Sequence, residues 1–272
     1  MADLSRFKLG RLPHNAAQIA RMPRLDLHPM MAARAVPIYP LVLDRSRFRF
    51  QPAMDDNDQI GDCSGVGYAN GARAAAAMAG FGLDITTPQV VDFYSRCSGY
   101  NPHTPLVDGE NPTDTGAVLA DVLAAQGRKG FAATNQELVA DFATVEPANL
   151  NAVRAVTAQT GVLYCGVDLA VADQNAPGDV WDTNTPVSAG DPTPGSWGGH
   201  CLGLWDWNGC GDRDLVRLAT WGGFQFATWA WVKSRLVECH AVMWREISGA
   251  TPGIDYDRLK GDVAGFLASP IA

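Results

Sequence analysis

The chain has 272 residues, 47% of them apolar and 18% charged, the composition of a globular, core-forming protein in one large domain or two small ones. No run approaches the 18 apolar residues of a membrane span, and the start, MADLSRFKLGRLPHN, has no apolar core of a secretory signal, so the chain is expected to stay cytoplasmic on synthesis. The net charge of −8 hides an asymmetry: residues 1–50 carry nine Lys+Arg against three Asp+Glu, and the remainder carries 12 against 26.

Residues 1–50 contain several prolines, scattered arginines and little periodicity, and read as a basic extended arm with short turns around 16–22 and 29–35. Its charge suits either its own acidic body or an acidic partner surface; without a fold motif it does not argue for nucleic acid. RSRFRF (45–50) alternates polar and aromatic residues and predicts a strand. Next comes NDQIGDCSGVGYANGARAAAAMA (57–79), where a polar loop delivers Cys63 to an alanine-rich helix over 64–79. Gly65, Gly67 and Gly71 each cost that helix roughly 0.5–1 kcal/mol, which close packing of other backbone would offset. Cys63 stands at the helix N-terminus, where the dipole and free N–H groups favour a thiolate; an inert core cysteine is the alternative.

Thr87-Pro88 predicts the start of a second helix, with Val90, Val91, Phe93 and Tyr94 on its inner face. Residues 99–115 form a turn-rich loop. A third helix is expected over 116–126, capped by Asp114 or Thr115 and stopped by Gly127, and a short one over 149–159. The character then changes. GVLYCGVDLA (161–170), HCLGLWDWNG (200–209), DLVRLATWG (214–222), ATWAWVKS (227–234) and CHAVMWREI (239–247) read as strands, with a long polar loop over 173–198. Trp197, Trp205, Trp207, Trp221, Trp229 and Trp231 crowd this part. Residues 248–272 look like a surface tail. The expected architecture is α+β: the arm 1–50, a domain over 51–247 with a helical half (57–160) and an antiparallel sheet half (161–247), and the tail.

Six cysteines (63, 97, 165, 201, 210 and 239) follow no Cys-x-x-Cys spacing, so no structural zinc is expected, free thiols are, and no metal or cofactor is implied. His14, His28, His103 and His240 have no motif around them and read as surface or packing residues. His200 differs: Gly198-Gly199 precede it, an apolar strand follows, and it lies 137 residues after Cys63, within the separation of about 130–150 typical of papain-type Cys and His.

At this point the chain resembles the papain-like cysteine peptidases, in order over roughly 50–247. The Cys63 loop and helix resemble the nucleophile segment, SWGGHCLGLWDWNG the His strand, and LVRLATWGGFQFATWAWV the Asn-Ser-Trp-Gly strand-turn-strand. The Gly-Asp-Cys loop and Thr-Trp-Gly turn resemble phage and bacterial members in particular. The resemblance implies Cys63 as nucleophile, His200 as base and acid, and Trp221 as a shield for the imidazole. One oxyanion donor would be the Cys63 N–H; the second would be an amide side chain, Asn57 six residues upstream or Gln59 four upstream, Asn57 being at the matching position. Three departures stand out. Ala219 occupies the place of the Asn that orients the His, with Thr220 expected on the opposite strand face and Asp206 as a substitute or, more simply, a solvated turn residue. Ser64 replaces a Trp, and Ile60 replaces a disulfide cysteine.

The implied activity is hydrolysis of peptide or isopeptide bonds in a polypeptide, with residues 1–50 as an inhibitory arm, although they are short and lack the long helix of the family's propeptides. The competing expectation is a weak or inactive fold serving as a structural or adhesion component of a phage particle, docking on neighbouring subunits through residues 1–50. A third, a cell-wall amidase on a smaller Cys-His fold, suffers from the long separation of Cys63 and His200.

Overall fold

The computed structural model describes residues 4, 7–25, 39–134, 136–176, 180–249, 251 and 254–268; the turn expected over 29–35 and His28 lie outside them. Among the described residues, four helices come first. α2 (Cys63–Ala79) follows the short α1 (Ala16–Arg21) and is buried at every position from Cys63 to Asn70. α3 (Thr87–Ser98) starts one residue earlier than Pro88 suggests, because Thr86 is its N-cap and the Gln89 side chain accepts the Thr86 N–H at 2.8 Å. α4 (Leu119–Lys129) begins at Val118 without a side-chain cap. The expected cap, Asp114, instead accepts hydrogen bonds from the Gly61 N–H (2.9 Å) and the Tyr94 hydroxyl (2.7 Å).

A two-stranded ribbon, β1 (Phe131–Ala133) and β2 (Gln136–Leu138), precedes β3 (Asp141–Val145), so the helical half carries strands that its sequence hid. Then come α5 (Leu150–Thr160), β4 (Leu163–Leu169), α6 (Val171–Gln174), β5 (Val180–Trp181), β6 (Gly198–Trp207), β7 (Leu215–Thr220), β8 (Gly223–Thr228), α7 (Trp229–Arg235), β9 (Leu236–Met243), α8 (Arg245–Ser248) and α9 (Tyr256–Ala268). The main sheet has seven strands in the order β3-β9-β4-β6-β7-β8-β5. Its pairings are antiparallel except that of β5 with β8.

α2 packs against β6. Gly67 permits this: a Cβ there would stand 2.7 Å from the Cys201 sulfur and 3.2 Å from the Tyr164 ring. The Tyr164 hydroxyl donates to the Ser64 carbonyl at 2.8 Å, tying the first turn of the helix to β4. Close approach of helix and sheet therefore compensates the glycine, as the sequence suggests, and brings the start of α2 to the start of β6.

Three local expectations change. Residues 45–50 are not a strand, because Arg45 turns inward, 2% exposed, and donates to the carbonyls of Thr157 (2.7 Å), Gly161 (3.1 Å) and Trp205 (2.6 Å). Two of these lie at the end of α5, where the Thr157 carbonyl also accepts the Gly161 N–H at 3.2 Å. The stretch 227–234 ends β8 and opens α7, with the Thr228 side chain capping the Trp231 N–H. The tail contains the 13-residue α9, whose Leu259, Val263 and Phe266 are buried in the core.

Candidate active site

β7 and β8 are joined by Trp221 and Gly222, both at positive φ (41° and 72°), the signature of a tight two-residue hairpin turn. Thr220 pairs with Gly223 and Ala219 with Phe224. Alternation along the strand puts these neighbours on opposite faces. Ala219 belongs to an apolar cluster with Phe50, Val162 and Trp205. Thr220 therefore faces the other way, and its hydroxyl lies 2.6 Å from His200 Nε2. This corrects the expectation of a histidine without an orienting partner: the two residues do diverge, but the histidine lies on the side of Thr220. Asp206 is neither a substitute nor a solvated turn residue. It is 4% exposed, pairs with Arg217, and accepts the Arg45 N–H at 3.2 Å.

The Trp221 ring stacks on the imidazole, centroids 4.2 Å apart and planes 24° apart. Trp197 and Trp181 close around Trp221 at 5.7 and 6.0 Å. Of the crowded tryptophans, Trp221 and Trp197, joined by Trp181, wall His200, which is fully buried, whereas Trp205 lies in the Ala219 cluster on the other face. Burial, with a smaller contribution from the Arg11 charge, pushes its pKa down to about 3. Its other nitrogen, Nδ1, is buried without a hydrogen-bond partner among the described residues.

Cys63 opens α2 and is 1% exposed. The backbone amides of Cys201, the residue after His200, and of Gly10 lie near enough to lower its pKa. Burial pushes the thiol up to about 12, against the pull of those two amides. The structure thus brings Cys63 to the histidine strand, but with no hydrogen bond to Nδ1. All six cysteines are free thiols. Asp62, just before Cys63, is fully buried, and neither carboxyl oxygen has a partner among the described residues. Burial, then the charges of Asp55 and Asp114, push its pKa up to about 9. It is the Asp of the Gly-Asp-Cys loop and the last of a run of aspartates, 55, 56, 58 and 62, but neither signal gives it a role.

Residues 7–12 occupy the space above these groups. The Lys8 N–H donates to the Asn57 carbonyl (3.2 Å), Arg11 N–H to Gly199 carbonyl (3.1 Å), Leu12 N–H to Ala117 carbonyl (3.0 Å) and Ala117 N–H to Gly10 carbonyl (2.8 Å). Helical half and sheet half each hold the segment by its backbone. Gly10 lies directly on the Gly61 carbonyl, where no Cβ fits. Phe7 stacks on Trp221 at 5.0 Å. The Lys8 carbonyl is met by the Trp221 indole N–H (3.4 Å) and the Asn57 side-chain amide (3.5 Å). Asn57 is 1% exposed and also donates to the Ile60 carbonyl at 3.1 Å; Gln59 is exposed. Of the two candidate amides, Asn57 is the one turned toward the segment over Cys63. Arg11 pairs with Asp168 and Glu238, and Lys8 with Glu110, so these basic residues of the arm lie on the chain's own acidic body.

No protein-family model matches the sequence, and no curated protein matches it. Solved structures do. Xylellain, a cysteine protease from Xylella fastidiosa, superposes with a TM-score of 0.64 at 12% identity, over 88% of this chain and 97% of that one. Procathepsin B S9 from Trypanosoma congolense gives 0.60 at 9% identity, over 89% and 88%. Digestive procathepsin L2 from Tenebrio molitor gives 0.57 at 10%, over 89% and 79%. The chain has the α+β papain-like fold, with helices α2–α4 and the seven-stranded sheet as its two halves.

Proposed function

We propose that the protein is a thiol hydrolase of polypeptides, with Cys63 as nucleophile and His200 as base and acid, held latent by residues 7–12. The observation that carries this is the oriented histidine: Thr220 at Nε2, Trp221 on the ring face, and an unpartnered Nδ1. With Nε2–H donating to Thr220, Nδ1 keeps its lone pair for the thiol proton. The thiolate adds to a peptide carbonyl, and the oxyanion takes the Cys63 N–H, which has no intrahelical acceptor, and the Asn57 amide. His200 returns the proton to the leaving amine; water then cleaves the thioester by the same route.

Latency follows from burial. Under the segment the thiol is neutral and so is the imidazole, and the Gly10 amide holds the place of a substrate. Displacing the segment admits water and removes the main cause of both shifts. The structural-component alternative drew on Ala219 in place of the orienting Asn, and Thr220 removes that motive; residues 7–12 also pack on their own domain. The test is hydrolysis of a fluorescently labelled, unfolded protein by the full chain carrying Gly10→Ala, whose Cβ meets the Gly61 carbonyl and expels the segment. Activity absent from wild type, present in this variant and abolished by adding Cys63→Ala is the expected pattern. Equal turnover with and without Cys63 contradicts it.

A further inference from the structure

Arg11 enters a built pocket beside His200. Its side chain is 3% exposed; one terminal nitrogen pairs with Asp168 on β4 and the other with Glu238 on β9 at 3.1 Å. Glu238 is itself 3% exposed and lies 3.4 Å from His240. Two glycines make the room. A Cβ at Gly166 would stand 2.6 Å from both Arg11 Cδ and Glu238 Cγ, and one at Gly199 would stand 3.1 Å from Arg11 Nε and a terminal nitrogen. Gly199 also accepts the Arg11 backbone N–H at 3.1 Å, so the pocket opens one residue from the imidazole. Burial opposes ionisation of Glu238, yet the His240 hydrogen bond and the His240 and Arg11 charges hold it below the ordinary carboxylate value.

The pocket needs a cation. Without Arg11, the buried Glu238 keeps only His240 and loses its guanidinium partner, a costly arrangement. A planar guanidinium spans two carboxylates on different strands, whereas a lysine ammonium reaches them as a single point. The occupant belongs to a segment held by its backbone in the groove where, on the hydrolase reading, substrate lies. We infer that the cleft selects polypeptides presenting an arginine side chain to this pocket, with Glu238 and Asp168 as specificity-determining residues and Arg11 as the built-in competitor. The cleavage part of this inference rests on the hydrolase reading; the guanidinium site does not.

The test uses the full chain in the Gly10→Ala background, which frees the cleft, with Arg11→Ala alone and combined with Glu238→Gln or with the more exposed Asp168→Asn. Matched quenched peptides, alanine throughout except for one Arg or one Leu scanned through each position, measure selectivity. Arg11→Ala should cleave the best Arg peptide with kcat/KM at least about tenfold above the best Leu peptide, the scale of one charge-assisted hydrogen bond. Either second substitution should bring the two close to parity while the Leu peptide is retained. If Arg11→Ala cleaves Leu peptides as well as Arg peptides, the selectivity inference falls and the hydrolase reading stands. If it cleaves none, the hydrolase reading falls, and ethylguanidinium decides the site. A rise in Tm in Arg11→Ala, absent with ethylammonium, in wild type and in the double variants, supports the pocket; no rise overturns it.

Discussion

Asp62 offers a stability measurement whose size and sign come from its surroundings. Its carboxyl is fully buried, lacks partners, and titrates near 9 because burial and the nearby Asp55 and Asp114 charges disfavour the anion. The ordinary value is 3.8. The folded state therefore holds a proton that the unfolded state has lost between about pH 4 and pH 9, and stability falls as pH rises across that window. The slope reaches about 1.4 kcal/mol per pH unit for one proton. From pH 5 to 8 that amounts to roughly 4 kcal/mol, and relaxation around the carboxylate lowers it to about 2. Urea denaturation of wild type and Asp62→Asn at intervals from pH 4.5 to 8.5 isolates the group, because every other titration is common to both. The variant should gain on the wild type by about 2–4 kcal/mol over those three units. Parallel stability curves would refute an Asp62 that is protonated in the folded protein.

Further predictions concern the hairpin, the helix and the tail. In the Gly10→Ala background, Thr220→Val should lower kcat on a peptide by about ten- to a hundredfold and leave KM nearly unchanged, since the lost hydrogen bond orients His200 and touches no substrate. Ala219→Asn should not raise activity, and should cost about 1–3 kcal/mol in thermal unfolding, because that side chain enters the Phe50–Trp205 cluster. Gly67→Ala should destabilise by about 1–3 kcal/mol through its contact with the Cys201 sulfur, with no change in a distant surface probe such as Lys129→Ala. Phe266→Ala should cost about 3–5 kcal/mol, because the ring is 5% exposed and packs edge-on against Phe142 at 5.9 Å; a tail lying loosely on the surface would lose almost nothing.

The parts of the fold legible in the sequence are those written in local chemistry. The alanine run gave α2, Gly67 announced a close neighbour, and the distance from Cys63 to His200 named two residues that do meet one strand. What stayed hidden depends on contacts far apart in the chain. The alternation of RSRFRF is a strand pattern, but the carbonyls at the end of α5 claim Arg45. Thr220 and Ala219 are indistinguishable until the turn at Trp221-Gly222 fixes which face of β7 sees the histidine. Arg11 reads as one charge in a basic arm until Gly166 and Gly199 make room for it between two carboxylates. Asp62 shows in the sequence only as the middle of the Gly-Asp-Cys loop, because its lack of partners is a property of the packed interior alone.

The central claim is that Cys63 is an activated nucleophile once residues 7–12 leave it. Mass-spectrometric rates of iodoacetamide labelling at Cys63, followed from pH 5 to 9, test it most directly in wild type, Gly10→Ala and Gly10→Ala/His200→Ala. Wild type should label slowly throughout. Gly10→Ala should label at least about tenfold faster at pH 6, with its midpoint below the ordinary thiol value of about 8.5, and removing His200 should return the midpoint to that value. Slow labelling of Cys63 in all three proteins, or fast labelling that ignores His200, would contradict the account.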